Sequence, residues 1–185
     1  MTSVSQAVTT PQPVSLIEVK DQLGFAQGDS YSDDRLTRLI VAATEQWEHD
    51  TQSITTVRTV TENLPMIPPP TWRLYYRPVV SFTSFKYYDT AGTQQTLASS
   101  VYSIDIPNRK IHLAPDQEWP DFQERWDAVE LTYIAGSAIV PEISKQAILV
   151  QCDIMEELRG TTKEKYATVQ LYENLVARFQ RSSYP

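Results

Sequence analysis

The chain has 185 residues, of which 41% are hydrophobic and 21% are charged, the composition of an ordinary soluble domain. Its formal net charge of −7 argues against a protein that grips nucleic acid through the phosphates, although a surface that encloses DNA and repels it is compatible with this charge. No apolar run approaches the roughly 20 residues of a membrane span, and the start of the chain lacks the features of a signal peptide. We therefore expect synthesis in a cytoplasm and no membrane contact.

The start of the chain predicts an arm followed by a short helix. Residues 1–14 are rich in Ser, Thr, Gln and Pro, which is typical of a flexible arm. Ser15, with Glu18 three residues later, has the pattern of a capping box. We therefore predict a helix over 15–23, which Gly24 ends.

A second, longer helix is predicted over 33–50. Ser32 is its expected N-cap, and Asp33 and Asp34 lie where the helix dipole favours negative charge. Its apolar residues recur at helical spacing and form one stripe, which consists of Leu36, Leu39, Ile40, Ala43 and Trp47.

The middle of the chain, residues 53–135, predicts an antiparallel β module of short strands. A proline-rich connector over 64–70 interrupts it, because proline cannot donate to a strand ladder. Two turn sequences, Asp89-Thr90-Ala91-Gly92 and Pro107-Asn108-Arg109-Lys110, indicate hairpins. The predicted strands before the last one cover 54–64, 72–76, 79–88, 94–97, 102–106 and 111–113.

The segment 128–159 is the predicted core of the fold. Its first half is a strand that Gly136 ends, with one face formed by Val129, Leu131 and Tyr133. Pro141 suits the first turn of the following helix, predicted over 141–159. Apolar residues cover most of the circumference of this helix, so we expect it to be buried on more than one side.

The end of the chain, residues 160–185, predicts a break at Gly160-Thr161-Thr162 and a last helix over 163–181. This segment carries four basic residues against two acids, within a chain of net negative charge. The helix has an apolar stripe formed by Val169, Tyr172, Leu175, Val176 and Phe179. The whole pattern predicts an α+β fold: a small helical bundle with an inserted antiparallel β module and a C-terminal helical arm.

Chemistry-bearing residues are sparse. The segment from Asp116 to Glu130 has six acids against one base and could hold a glycosidase pair or a calcium loop, but a solvated acidic loop is favoured. His49 and His112 are isolated, and Cys152 lies among apolar helix residues, where it is expected to be a buried small side chain. The five glycines are not in phosphate-binding order. We expect no catalytic, cofactor-binding or metal-binding residues.

Aromatic side chains are frequent in the β module. They could form a platform that stacks sugars or bases, but alternating aromatics in strands are more often core residues and cross-strand pairs. The residues concerned are Tyr75, Tyr76, Phe82, Phe85, Tyr87 and Tyr88. A carbohydrate-binding module therefore stays open as the alternative function.

The order of these elements resembles the head–tail connector proteins of long-tailed bacteriophages and gene transfer agents, also called adaptor or head-completion proteins. The similarity covers roughly residues 13–159. It is closest in Tyr133-Ile134-Ala135-Gly136 followed by Pro141-Glu142-Ile143 and Lys145-Gln146-Ala147-Ile148-Leu149. The further matching segments are residues 13–23, Ser32–Glu48, Arg77-Pro78-Val79-Val80-Ser81, Tyr87-Tyr88-Asp89 and Tyr102.

This resemblance implies a structural virion protein of the neck, made in the host cytoplasm and without enzymatic activity. The family forms a ring, expected here as a dodecamer, between the portal protein and a tail terminator, tail-completion or stopper protein. DNA leaves the head through the ring without sequence-specific binding. The usual fold is a small helical bundle, here enlarged by the β module. In this setting the alternative is a carbohydrate- or receptor-binding virion module.

Three groups of residues are expected to serve such a ring. The helices at 36–47 and 143–158 are expected to pack between subunits through Leu36, Leu39, Ile40, Trp47, Leu149 and Met155. The last helix is expected to dock on the portal through its stripe together with Arg178 and Arg181, or alternatively to close the chain's own bundle. The channel is expected to be acidic, with Asp33 and Asp34 as second candidates after Asp116, Glu118, Asp121 and Glu124.

Overall fold

The computed structural model describes residues 3–6, 12–66, 71–157 and 166–182 and confirms the mixed α+β fold. The helices are α1 (Leu16–Leu23), α2 (Asp33–Thr51), α3 (Glu142–Glu157) and α4 (Tyr166–Ser182). The strands are β1 (Ser3–Gln6), β2 (Arg58–Leu64), β3 (Thr71–Arg73), β4 (Val79–Tyr88), β5 (Gln94–Thr96), β6 (Tyr102–Asp105), β7 (Lys110–Leu113) and β8 (Val129–Ala135). None of the described helices is long and apolar enough to cross a membrane.

The chain divides into two compact units, which we call the sheet unit and the helical unit. The sheet unit consists of Met1–Thr9 and Val57–Ser137. The helical unit consists of Thr10–Thr56 and Ala138–Pro185. The predicted core segment therefore contributes its strand to one unit and its helix to the other.

In the sheet unit, β8 is the central strand of a five-stranded antiparallel sheet with the order β1-β2-β8-β4-β5. Burial alternates along β8 as predicted, with Val129, Leu131 and Tyr133 buried. A second antiparallel sheet has the order β3-β7-β6. The hairpin turns join β4 to β5 and β6 to β7, as the turn sequences predict.

In the helical unit, α3 is the central helix. It packs against α1, α2 and α4, which confirms that it is buried on more than one side. Arg35 of α2 forms an ion pair with Glu156 of α3. The fully or nearly fully buried side chains that α3 contributes to the core are Ala147, Ile148, Val150 and Cys152.

The ends of the first two helices follow the sequence signals in part. The Ser15 N–H donates to Glu18 at 2.6 Å and the Glu18 N–H donates to the Ser15 hydroxyl at 3.2 Å, so the capping box is present. Gly24 ends α1 with φ = 72°, a left-handed conformation that glycine adopts without strain. Ser32 occupies the N-cap of α2, but its side chain makes no capping hydrogen bond.

Two strand boundaries differ from the sequence prediction by three residues or more, and hydrogen bonds outside the strand ladders accompany both differences. β2 begins at Arg58 rather than at residue 54, and the Thr55 N–H and hydroxyl donate to the buried Glu48 carboxylate at 2.8 and 2.6 Å. β3 ends at Arg73, and the following Leu74 N–H donates to the Arg109 carbonyl at 2.8 Å.

The arm predicted at the start of the chain includes a strand that the sequence did not predict. Residues 3–6 form β1, which pairs with β2. The remainder of the arm at 1–2 and 7–11, part of the connector at 67–70 and the break at Gly160-Thr161-Thr162 lie outside the described residues. The end of the predicted core helix at 158–159 and the start of the last helix at 163–165 also lie outside them.

Candidate functional site

The loop 114–128, which we call the acidic loop, connects β7 to β8 and exposes four carboxylates. All four side chains lie on the surface, and none forms an ion pair or hydrogen bond within the described part of the chain. They belong to Asp116, Glu118, Asp121 and Glu124. A general acid needs a desolvating pocket, which these exposed positions do not provide, so the geometry suits a solvated loop better than a glycosidase pair.

Aromatic and backbone contacts with β4 hold the acidic loop in place. The Trp119 ring stacks on Phe85 with a centroid distance of 5.5 Å and an interplanar angle of 25°. The Gln123 N–H donates to the Tyr88 carbonyl at 2.9 Å. The Arg125 guanidinium lies 3.8 Å from the centroid of the Tyr88 ring. These contacts give the loop a defined path, so its carboxylates are presented at defined positions.

The other two acids of the segment are neutralised by bases. Arg125 donates to Asp127 through Nε at 2.5 Å and Nη2 at 3.0 Å, and this hydrogen bonding raises the pKa of Arg125. Lys86 on β4 pairs with Glu130 on β8 at 2.9 Å. The four remaining carboxylates are therefore the uncompensated negative charge of the loop.

Several aromatic residues of the β module pack against one another. Phe82 and Phe85 both contact Tyr102 at centroid distances of 5.7 Å, and Tyr75 meets Tyr76 edge-on at 4.9 Å. Phe85 is 1% exposed. Cross-strand and core packing accounts for Phe82 and Phe85, whereas Tyr75 is 38% exposed. The carbohydrate-binding alternative therefore stays a prediction with little open aromatic surface among these contacts.

The residues expected between ring subunits fall into two groups. Leu36, Ile40 and Trp47 are buried in the core of the helical unit, where they pack within this chain. Leu39, Leu149 and Met155 are only partly buried against that core. A role between subunits stays a prediction, and only the second group has side-chain surface with which to fulfil it in this conformation.

The stripe expected to dock on the portal lies against the chain's own helices. Tyr172 is buried and donates its hydroxyl hydrogen to Asp50 on α2 at 2.9 Å. Trp47 meets the rings of Tyr172 and Phe179 edge-on, at centroid distances of 6.3 and 5.2 Å. Leu175 and Val176 pack against the same core, Val169 is half-buried, and Arg178 and Arg181 are exposed. In this conformation the stripe therefore packs within its own chain, which is the alternative that the sequence left open. Docking on the portal stays a prediction.

The second pair of candidate channel acids, at the start of α2, differs from the acidic loop. Asp33 pairs with the buried Lys20 at 2.5 Å, whereas Asp34 is exposed. Because the ion pair offsets the charge of Asp33, this position offers one exposed carboxylate against four on the acidic loop, which remains the first candidate for a repelling surface.

The isolated histidines and the cysteine lie in structural positions. His49 is exposed near the end of α2, and His112 on β7 is 3.1 Å from the Thr71 hydroxyl. Cys152 is buried, and this burial raises the pKa of its thiol to about 12. Among the described residues, no group of three or more His, Cys, Asp or Glu side chains could hold a metal ion.

Sequence reasoning missed a buried carboxylate in the sheet unit. Glu62 on β2 is 1% exposed and accepts hydrogen bonds from the Tyr133 hydroxyl and, at 2.7 Å, from the Tyr75 N–H. Burial raises the pKa of Glu62, and burial and the nearby carboxylate raise that of Tyr133. The signal in the sequence was a glutamate at a core-facing strand position between Val60 and Leu64.

Comparison with known proteins gives matches in structure only. No model of a known protein family matches the chain, and no curated protein sequence matches it. A chain in the neck of an empty gene transfer agent particle, computed with C6 symmetry, matches with a TM-score of 0.74 and 18% identity, covering 96% of this chain and 95% of that one.

Two further structures of this kind match over similar lengths. A chain in the virion of a native gene transfer agent particle has a TM-score of 0.71 and 19% identity. A chain in the neck of a native particle, computed with C12 symmetry, has a TM-score of 0.64 and 20% identity. Both matches cover 96% of this chain and 94% of the other. The chain therefore shares the fold of these virion proteins over nearly its whole length.

Proposed function

We propose that this protein is a structural subunit of the neck of a phage or gene transfer agent particle. It forms a ring, a dodecamer by our assignment, between the portal protein and a tail terminator, tail-completion or stopper protein. The observation that carries this proposal is a fold shared over 96% of this chain and 94–95% of chains from gene transfer agent particles, two of them described as neck structures. Because the match spans nearly all of both chains, it includes the sheet unit as well as the helical unit.

The acidic loop supports a role as the wall of a DNA channel. DNA that must slide through a ring should not be held by it, and like charge shortens the time that DNA spends at a surface. Four uncompensated carboxylates on a loop with a defined path supply such a charge in every subunit, and a ring multiplies it. We assign these four side chains to the lumen.

We assign the contacts between neighbouring proteins to side chains that keep solvent-exposed surface within their own chain. Leu39, Leu149 and Met155 are our candidates for packing between subunits, because they are only partly covered within the chain. Arg178 and Arg181 on the exposed side of α4 are our candidates for contact with the portal. In this arrangement the stripe of α4 stays on the chain's own bundle while its charged side faces the partner.

The ring is tested by the mass of the assembled protein. Mass photometry of the purified chain, alone and with its portal protein, is expected to show a species near twelve times the 21.1 kDa of one subunit, free or added to the portal. Negative-stain images should show rings with a central opening. A chain that remains monomeric under both conditions contradicts the proposal. Particles from a knockout are expected to be full-sized heads without attached tails.

Reversal of charge on the acidic loop is expected to make the ring retain DNA. Asp121→Lys with Glu124→Lys replaces two repelling groups with two that pair with phosphate, so affinity for duplex DNA should rise roughly tenfold or more at ~50 mM salt. An electrophoretic mobility shift assay of assembled rings measures this. The matched control is Glu45→Lys with Glu173→Lys, which makes the same change in net charge at exposed positions of α2 and α4.

The comparison of the two variants separates local from overall charge. If the control variant gains as much affinity as the loop variant, the effect belongs to net charge and the lumenal assignment of the loop is wrong. The same assignment fails if the wild-type ring already retains DNA at moderate salt.

A further inference from the structure

Strand β1 occupies the outer edge of the five-stranded sheet. It pairs antiparallel with β2 in the register Ser3↔Asn63, Val4↔Glu62, Ser5↔Thr61 and Gln6↔Val60. β2 is bound on its other side by β8 over its full length. The edge of the sheet is thus covered by four residues that come from a distant part of the chain.

The route of the chain makes β1 a separable element. After β1 the chain forms α1 and α2 of the helical unit before it returns to the sheet unit at β2. No turn couples β1 to β2, unlike the hairpins that join β4 to β5 and β6 to β7. The loop between β1 and β2 runs through two helices, so no local turn ties β1 to the β2 of its own chain.

The outer edge of β2 needs a pairing strand, from the same chain or from another copy. Val60, Glu62 and Leu64 of β2 are buried, so the strand must stay in the sheet. Without β1, its outer edge would present unpaired N–H and C=O groups, which readily pair with any available strand. Main-chain hydrogen bonds of this kind are the same whichever copy of the chain provides the strand.

We propose that in the assembled ring β1 of each subunit pairs with β2 of the neighbouring subunit. This inference rests on the proposed ring, which provides every subunit with a neighbouring copy of the chain on each side. The nine residues 7–15 between β1 and α1 span at most about 30 Å when extended, which sets the distance over which the strand can be exchanged. Exchange of an identical element between protomers keeps every hydrogen bond of β1 and adds a link between subunits. In a closed ring such links tie each subunit to the next.

Cross-linking of paired strands tests the exchange. Ser5→Cys with Thr61→Cys places two thiols at directly opposed positions of β1 and β2, where Cβ atoms lie roughly 5 Å apart. Assembled rings are treated with a short bifunctional thiol reagent and separated on a denaturing gel. The matched control is Thr61→Cys with Thr132→Cys, which pairs the same position of β2 with β8 inside one chain. The native Cys152 is buried and is present in both variants.

The expected result is a ladder of covalently joined chains for the 5/61 pair and single chains for the 61/132 pair. Co-assembly of a Ser5→Cys chain with a Thr61→Cys chain should also give a joined dimer, which only a strand shared between copies can produce. Rings that yield only internally joined single chains for the 5/61 pair overturn the exchange and leave the proposed function intact. If native mass measurement finds no ring, the exchange falls together with the proposed function.

Discussion

Replacement of Trp47 by alanine is expected to lower the free energy of unfolding of the helical unit by about 3–5 kcal/mol. Trp47 is 0% exposed and is the largest side chain of the α2 stripe. Its ring contacts Tyr172 and Phe179 of α4, so the change opens a cavity and removes the aromatic anchors of that helix. Urea unfolding followed by far-ultraviolet circular dichroism measures the loss.

Trp47→Phe is the matched control. The indole N–H of Trp47 has no hydrogen-bond partner among the described residues. Replacement by phenylalanine therefore reduces the side-chain volume but removes no hydrogen bond. We expect this variant to lose less than half as much stability as the alanine variant. Hydrogen exchange should show weaker protection of α4 in the alanine variant. An α4 that keeps its full protection there would mean that its stripe is held by something other than this cluster.

Local signals account for the parts of the fold that the sequence predicted well. The Ser15–Glu18 capping box and Gly24 act within a few residues, so they determine the ends of α1 without reference to the remainder of the chain. The same holds for the alternation along β8 and the apolar circumference of α3, which report burial directly. In the acidic loop, the four exposed acids were predicted correctly as solvated residues.

Long-range pairing accounts for the parts that the sequence could not supply. The polar residues of β1 have no strand pattern of their own, and only the edge of β2 gives them a partner. The stripe of α4 requires an apolar cover, and the sequence does not say which side chains supply it. In the structure, Trp47 and its neighbours in the core of the helical unit do so through tertiary contacts. Likewise, the Lys86–Glu130 pair joins residues 44 positions apart and decides which acids remain uncompensated.

The Glu62 cluster has the same long-range origin and links three segments of the sheet unit. Glu62 lies on β2, Tyr133 lies on β8, and the backbone of Tyr75 and Tyr76 follows β3. The Tyr133 hydroxyl donates to Glu62 and accepts the Tyr76 N–H at 3.1 Å. A buried carboxylate keeps its charge only if such donors replace water.

Tyr133→Phe is expected to destabilise the sheet unit by about 2 kcal/mol at neutral pH, because the buried Glu62 carboxyl group loses its hydroxyl donor and the Tyr76 N–H loses one of its acceptors. Urea unfolding at a series of pH values measures this cost. The control pair is Glu62→Gln with and without Tyr133→Phe, which removes the ionisable group while keeping an acceptor of similar shape.

The cost of Tyr133→Phe should also depend on pH in a defined direction. Burial holds the pKa of Glu62 above its ordinary value of 4.5, so above that value the folded chain binds more protons than the unfolded chain, and stability falls as pH rises through the raised pKa. The Tyr133 hydroxyl opposes this rise by stabilising the carboxylate. Its removal raises the folded pKa further, so the cost should be largest at neutral pH and shrink on acidification. In the Glu62→Gln background the cost should be independent of pH. A cost that is constant with pH in the native background, or that grows on acidification, would mean that Glu62 is not the group that the hydroxyl stabilises.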